Sequence, residues 1–375
     1  MTPAETLAHL LRPAGGGVHL VSTGKAEQEA LQRSLYGAAT EAEVQARWRE
    51  DLGRLATARA FLLGIPSDVG AGFRRGANLG PGALRAALLA EDPGRAARAR
   101  AAGVVDLGDV HVVPQLLHDE MLSEGQLAAS SLALHPDLPP EVARTFPVSP
   151  LSIAERALGL AHSVNPGARV FALGGDHSCA WPVVKALAAV RPDLGIVQID
   201  AHTDLLEERL GVKYCFGTWS FHANDLVGRR GRLVQVGIRA TRRDRAHWES
   251  TLGVRQFWAE DVNRDPAAAL DAIVAHVKAS GVRSVYFSND IDGTDDRWAD
   301  ATGTPEPGGL TPEFVSELVA RLGREVGLAG GDVMEVAPGI GRSAEGNART
   351  VSLGARYLRE TMDAALGRRD AGPWI

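Results

Sequence analysis

Gly195-Ile196-Val197-Gln198-Ile199-Asp200-Ala201-His202-Thr203-Asp204 is the stretch on which the fold turns. Residues 195–199 read as a strand with both faces buried, as in a parallel sheet. The residues that follow set acid and imidazole at alternate positions. In extended chain, residues two apart point to the same side, so Asp200, His202 and Asp204 converge on one point.

The same grammar recurs on either side. Apolar strand-like runs occupy residues 60–63, 104–107, 169–173, 233–238, 284–287 and 331–336. Helical patterns fill 83–89, 151–163, 181–190, 266–278, 312–322 and 351–366, the first opened by Gly80-Pro81-Gly82. Strands that alternate with helices predict a three-layer α/β/α architecture with a mostly parallel sheet. Residues 59–375 read as a single catalytic domain. Residues 1–58 read as an N-terminal extension: a short helix near 7–11, a break at Pro13 and Gly15-Gly16-Gly17, then one or two surface helices within 26–58. This extension is expected to be a peripheral arm, with an oligomer or lid contact as the sharper alternative. Residues 115–150, rich in Pro and Leu, read as a long excursion.

Parallel sheets carry their sites beyond the carboxyl ends of the strands. Two further strands run into chemistry there: Gly174-Gly175-Asp176-His177-Ser178, and Ser288-Asn289-Asp290-Ile291-Asp292-Gly293-Thr294-Asp295. Taken singly, an Asp-x-His, an Asp-x-Asp or a Gly-Gly-Asp is commonly a cap or a solvated turn. All of them at strand ends crowd carboxylates that need protons or a cation. Two divalent ions meet that need. The expected ligands are His177, Asp200, His202, Asp204, Asp290 and Asp292. A set of imidazoles and carboxylates without thiolate suits Mn²⁺, with Ni²⁺ as the main alternative and Co²⁺ or Fe²⁺ behind it. Cys179 reads as a small buried residue.

Composition excludes several classes. A formal net charge of −6 gives no reason to expect a nucleic-acid or anionic-membrane partner. Two cysteines cannot frame a disulfide scaffold. Residues 1–11 lack a basic region followed by a long apolar run, so a cytoplasmic enzyme is expected.

The combined motifs resemble the ureohydrolase family of arginases, agmatinases and formimidoylglutamases, over roughly residues 60–366. The likeness rests on Gly64-Ile65-Pro66-Ser67-Asp68, Arg75-Gly76-Ala77, Gly80-Pro81-Gly82-Ala83-Leu84-Arg85, the three metal segments, Thr302-Gly303-Thr304-Pro305-Glu306-Pro307-Gly308-Gly309-Leu310 and Asp332-Val333-Met334-Glu335-Val336-Ala337-Pro338. It implies an arginase-like fold and a homo-oligomer, trimeric or hexameric. It also implies a water activated between two metal ions, with Asp204 as a bridging ligand that orients it. Asp292 then carries the proton to the leaving nitrogen, and Glu335 pairs with the guanidinium.

The chain departs from the family at one place. Where many members carry His-Gly, it has Phe216-Gly217-Thr218. Phenylalanine cannot move a proton, so His222 is a candidate substitute, with simple packing as its alternative role. The stretch from Phe216 to Asn224 is closer to the agmatinase-related branch that includes guanidine hydrolases. Tyr214, Phe216, Trp219 and Phe221 would wall a narrow pocket for a cation or pack a loop, and Trp298 is a further candidate for that wall. Phe216, Thr218 and Trp219 are therefore expected beside the substrate with Glu335. The expected reaction is hydrolysis of guanidine or an agmatine-like compound to urea plus ammonia or an amine. The alternatives are a formimidoylglutamase-like amidine hydrolase, for which Arg209 and Lys213 are the nearby cations, and a catalytically altered metal-binding homologue.

Overall fold

A computed structural model describes residues 1–367. Residues 368–375 of the expected catalytic domain lie outside the described residues. Among the described residues, nine strands form one sheet. They are β1 (Leu11–Arg12), β2 (Ala60–Ile65), β3 (Val104–Val110), β4 (Arg169–Gly174), β5 (Leu194–Ile199), β6 (Leu233–Ile238), β7 (Arg255–Trp258), β8 (Ser284–Asn289) and β9 (Leu328–Val333). Their order across the sheet is β1-β3-β2-β4-β9-β8-β5-β6-β7. β1 runs antiparallel to β3, and the other pairings are parallel.

Alternation along the strands sorts their side chains into two cores. Phe61, Leu63, Val170, Ala172 and Ile196 join an apolar cluster with helices Pro150–Val164 and Ala180–Val190. Phe171, Leu173, Val197, Ile199 and Phe287 join a second cluster with helices Pro312–Glu325 and Ala344–Leu366. Each fully buried side chain of this kind is worth roughly 1.5–3 kcal/mol. A one-residue slip would move every one of them to the wrong layer, so register is firmly specified. Prolines in the first turn start helices Pro150–Val164, Pro266–Ala279 and Pro312–Glu325, where a missing N–H costs nothing.

Residues 1–58 are packed onto this body. They form helices Pro3–Leu10, Lys25–Tyr36 and Glu41–Leu52 and strand β1. Leu7, Leu10, Leu11, Trp48 and Leu52 are buried in the first apolar cluster. Trp48 Nε1 donates to the Leu107 carbonyl at 2.9 Å. β1 covers the edge of β3 that would otherwise be open to pairing.

Several elements differ from the sequence expectation. β1 and β7 lie outside the apolar runs, β1 because it is two residues long and β7 because Arg255-Gln256-Phe257-Trp258 mixes charge and amide. The last strand covers Leu328–Val333 rather than 331–336, since Gly330 and Gly331 mask its start. The 115–150 excursion contains helices Glu124–Leu134 and Pro140–Ala143. Helix Trp219–Leu226 replaces the expected aromatic loop. No helix among the described residues is long and apolar enough to cross a membrane.

Candidate metal centre

β4, β9, β8 and β5 are consecutive neighbours at the middle of the sheet. Their carboxyl ends therefore release four loops at one place. Strand-like hydrogen bonds continue past the strand ends and tie these loops together. Asp290 N donates to Ile199 O at 3.0 Å, Met334 N to Asn289 O at 2.8 Å, and Glu335 N to Gly175 O at 2.8 Å. Gly175 has no room for a side chain, because a Cβ there would lie 1.7 Å from the Ser67 carbonyl oxygen.

All six expected ligands come together. His177, Asp200 and Asp290 form one group able to hold a metal ion, and Asp200, His202 and Asp292 form a second. Asp200 belongs to both, whereas Asp204, the expected bridging ligand, belongs to neither and lies beside His177. His177 Nδ1 lies 3.0 Å from Asp290 Oδ2, 3.2 Å from Asp200 Oδ2 and 3.4 Å from Asp204 Oδ2. His202 Nδ1 lies 3.1 Å from Asp292 Oδ2 and 3.6 Å from Asp200 Oδ1.

The electrostatics of this cluster call for positive charge. Burial, with Asp292 and Asp200 nearby, pushes the Asp290 carboxyl well above its usual range. Burial and Asp200 push Asp204 up to about 6. Burial disfavours charge on the imidazoles, yet Asp200, Asp204 and Asp290 raise His177 well above its ordinary value. Asp292 and Asp200 likewise push the partly buried His202 up to about 12. Asp200 is also buried, but His177 and His202 hold its carboxyl below the usual range. The cluster as a whole thus favours bound positive charge, which divalent ions would supply. Its donors are nitrogen and oxygen only, which fits Mn²⁺ or Ni²⁺.

A second layer of side chains holds the candidate ligands, and local sequence pattern does not single it out. Ser288 Oγ donates to Asp332 at 3.0 Å and lies 3.0 Å from His177 Nε2. Because that hydroxyl proton points at Asp332, Ser288 accepts from His177 Nε2–H, and Nδ1 is left to serve as ligand. Tyr286 OH donates to Asp332 at 2.6 Å. Thr304 Oγ1 donates to Asp292 Oδ2 at 2.9 Å, and Gln198 Nε2 to Asp200 Oδ2 at 2.7 Å. Part of this layer is legible in hindsight, since Ser288 and Gln198 each stand two residues before a ligand on an extended chain.

Glu335 joins the cluster. It is buried, and its Oε1 accepts the His177 backbone N–H at 2.9 Å. Its backbone is left-handed at φ 61°, as is that of Asp204 at φ 50°. Glutamate rarely adopts that conformation and aspartate does so more readily, and both residues flank the centre. Gly303 borders Glu335: a Cβ there would lie 3.8 Å from Oε2.

The expected substrate wall is built differently from its sequence reading. Trp219 is 1% exposed, so it has no face to offer a substrate. Its ring lies 4.5 Å from that of His177, and its Nε1 donates to Asp204 Oδ2 at 3.1 Å. It holds a ligand. Thr218 is also fully buried, and its hydroxyl closes the Cys215–Thr218 turn. Phe216 is half-buried against the Gly70–Gly72 loop, with Arg209 5.2 Å above its ring. Trp298 is partly buried against the second apolar cluster, under Arg297. Cys179 is fully buried.

His222 is not brought to the ligands. Its Nε2 donates to the Lys213 carbonyl at 3.1 Å, and its ring sits among Trp181, Tyr214 and Phe221. Six residues from Phe216 along the chain is not proximity in space, because helix Trp219–Leu226 carries His222 into that packing. His222→Ala should leave kcat/KM within about twofold of wild type in steady-state assays, the usual size of a change that touches neither substrate nor ligand. A pH–rate profile stripped of one limb would instead restore the proton-shuttle role.

The Arginase family model matches residues 58–363. The chain is 32% identical to a guanidinobutyrase of Pseudomonas aeruginosa, over 81% of this chain and 85% of that one. It is also 32% identical to an N(1)-aminopropylagmatine ureohydrolase of Thermus thermophilus, over 75% and 83% of the two chains. Its structure superposes on an agmatine ureohydrolase of Thermoplasma volcanium with a TM-score of 0.62 and 26% identity, covering 83% of this chain and 91% of the other. Fold and relatives define the class: a hydrolase of carbon–nitrogen bonds in amidino groups. The chain belongs to the arginase family.

Proposed function

We propose that this enzyme hydrolyses a small cationic guanidino compound to urea plus ammonia or an amine, using two divalent ions held by His177, Asp200, His202, Asp204, Asp290 and Asp292. The observation that carries the reading is that five of these side chains form two ligand groups sharing Asp200, with Asp204 3.4 Å from His177 and the buried Glu335 beside them. When bound, such an ion pair supplies a water of lowered pKa as nucleophile. Mn²⁺ is the proposed ion, with Ni²⁺ second.

The chain's own residues supply the rest. Glu335 keeps Oε1 on the His177 amide and offers Oε2 to the guanidinium N–H groups, a charge-assisted pair in a water-poor setting. Asp204, fixed by the Trp219 indole, orients the attacking oxygen. Asp292, steadied by Thr304 and the Ala201 amide, passes the proton to the departing nitrogen. The electron pair of the broken C–N bond leaves with that nitrogen, and the attacking oxygen becomes the urea carbonyl.

Two features support a guanidino substrate over formimidoylglutamate, which carries two carboxylates. Lys213 is engaged by Glu120 at 2.9 Å. Arg209 lies over Phe216, so neither of the two cations expected in this loop stands free to meet a second acid. Urea release should be measured over guanidine, agmatine, 4-guanidinobutyrate and arginine, with metal content determined in parallel. The expectation is two ions per chain and urea from guanidine or an agmatine-like substrate in preference to arginine. Formamide from formimidoylglutamate, with no urea from the four, would overturn it.

A further inference from the structure

Three glutamines occupy one line across the far half of the sheet. Gln198 on β5, Gln235 on β6 and Gln256 on β7 are register partners. All three are fully buried. Their amides are joined head to tail. Gln256 Nε2 donates to Gln235 Oε1 at 2.8 Å, Gln235 Nε2 to Gln198 Oε1 at 2.8 Å, and Gln198 Nε2 to Asp200 Oδ2 at 2.7 Å. At the outer end, on the edge strand, Trp258 Nε1 donates to Gln256 Oε1 at 3.0 Å.

The direction of this chain is fixed by its two ends. An indole N–H can only donate, and an ionised carboxylate can only accept. Trp258 therefore turns the Gln256 oxygen outward, and Asp200 draws the Gln198 nitrogen inward. The same polarity is imposed from both ends, so each amide dipole points its positive side at Asp200. Such chains polarise one another. Two side contacts lock the line in place. Ser220 Oγ donates to Gln198 Oε1 at 2.7 Å, and Gln235 Nε2 also donates to the Thr203 carbonyl at 2.6 Å. Thr203 lies between His202 and Asp204, so Gln235 holds the ligand loop as well as the ladder.

Burying three primary amides in a sheet is costly unless every link is made. Apolar residues would pack these positions more cheaply, so the ladder calls for a reason. Its inner end is Asp200, the one carboxylate common to both ligand groups. We infer that the Trp258–Gln256–Gln235–Gln198 ladder is a positioning device that holds Asp200 in one orientation, so that it serves both metal positions at once. The inference rests on the two-metal reading above. Its members are positioning residues and touch no substrate.

The test is Mn²⁺ binding to metal-free protein, by calorimetry or by the electron paramagnetic resonance of free Mn²⁺. The variants are Gln235→Met, Gln256→Met and Trp258→Phe, each close in shape but unable to pass on the hydrogen bond. Gln235→Met should weaken Mn²⁺ binding about 10-fold or more, the scale of lost outer contacts to metal ligands. Gln256→Met and Trp258→Phe should weaken it progressively less, and both ions should loosen together. The effect should outlast any loss of thermal stability, so affinities are measured well below each variant's Tm. Trp258 is only partly buried, so its variant tests the ladder even if a glutamine variant fails to fold. Mn²⁺ affinities within twofold of wild type in folded variants, while Asp200→Asn abolishes binding, would overturn the ladder and leave the metal centre standing. If Asp200→Asn also binds two Mn²⁺ unchanged, the two-metal reading falls first and the ladder with it.

Discussion

Asp200→Asn is expected to bind neither ion tightly and to lose turnover by about 10³-fold or more. Asp200 contributes to both ligand groups, whereas the other members of those groups contribute to one. Asparagine keeps the shape but removes the charge and offers only one oxygen. It also sets a second NH₂ group against the Gln198 amide that now donates to Asp200. A metal centre contributes several kcal/mol of transition-state stabilisation, and about 4 kcal/mol corresponds to roughly 10³ in rate. Elemental analysis after dialysis and urea release from the preferred substrate are the two measurements, with circular dichroism to show that the fold is kept. Two retained ions and a rate within about tenfold of wild type would refute the shared-ligand assignment.

Glu335→Gln is expected to act differently, leaving both ions bound while kcat/KM falls by about 10²–10³. Its backbone is tied to Gly175 and its Oε1 to the His177 amide, so glutamine can keep the local structure. What changes is the atom offered to the substrate: an NH₂ group would face guanidinium N–H donors, and two donors cannot bond. Hydrogen bonds to charged groups contribute about 1.5–3 kcal/mol each, so loss of a pair corresponds to roughly that fall. Burial and the nearby Asp290 hold the Glu335 carboxyl well above its usual range. A bound guanidinium favours its ionised form, so the carboxylate and the cation stabilise one another. Steady-state kinetics beside metal analysis separates this outcome from that of Asp200→Asn. An unchanged kcat/KM would remove Glu335 from substrate binding.

The parts of the molecule that the sequence makes legible are those governed by local pattern. The strands leading to His177, Asp200 and Asp290 are apolar runs, and the convergence of these residues follows from the strand ends, although tight turns at His177–Cys179 and Ile291–Gly293 replace the expected extended alternation. The parts that stay hidden depend on partners far along the chain. Gln198, Gln235 and Gln256 look like unrelated amides until the register of β5, β6 and β7 aligns them. Trp219 and His222 sit three residues apart in an aromatic stretch, and only the helix through them sends one to Asp204 and the other to the Lys213 carbonyl. Strand β1 is too short for any periodicity, and its place at the edge of β3 follows from tertiary packing alone.

The left-handed backbones of Asp204 and Glu335 set stability and activity against each other at the same positions. Glycine would relax either one and ease the fold. It would also delete the carboxylate for which the strain is tolerated. Selection or engineering for a hardier protein could relax Leu210, Arg229 or Arg230 freely, but at these two residues it would gain robustness only by removing a side chain of the candidate metal centre.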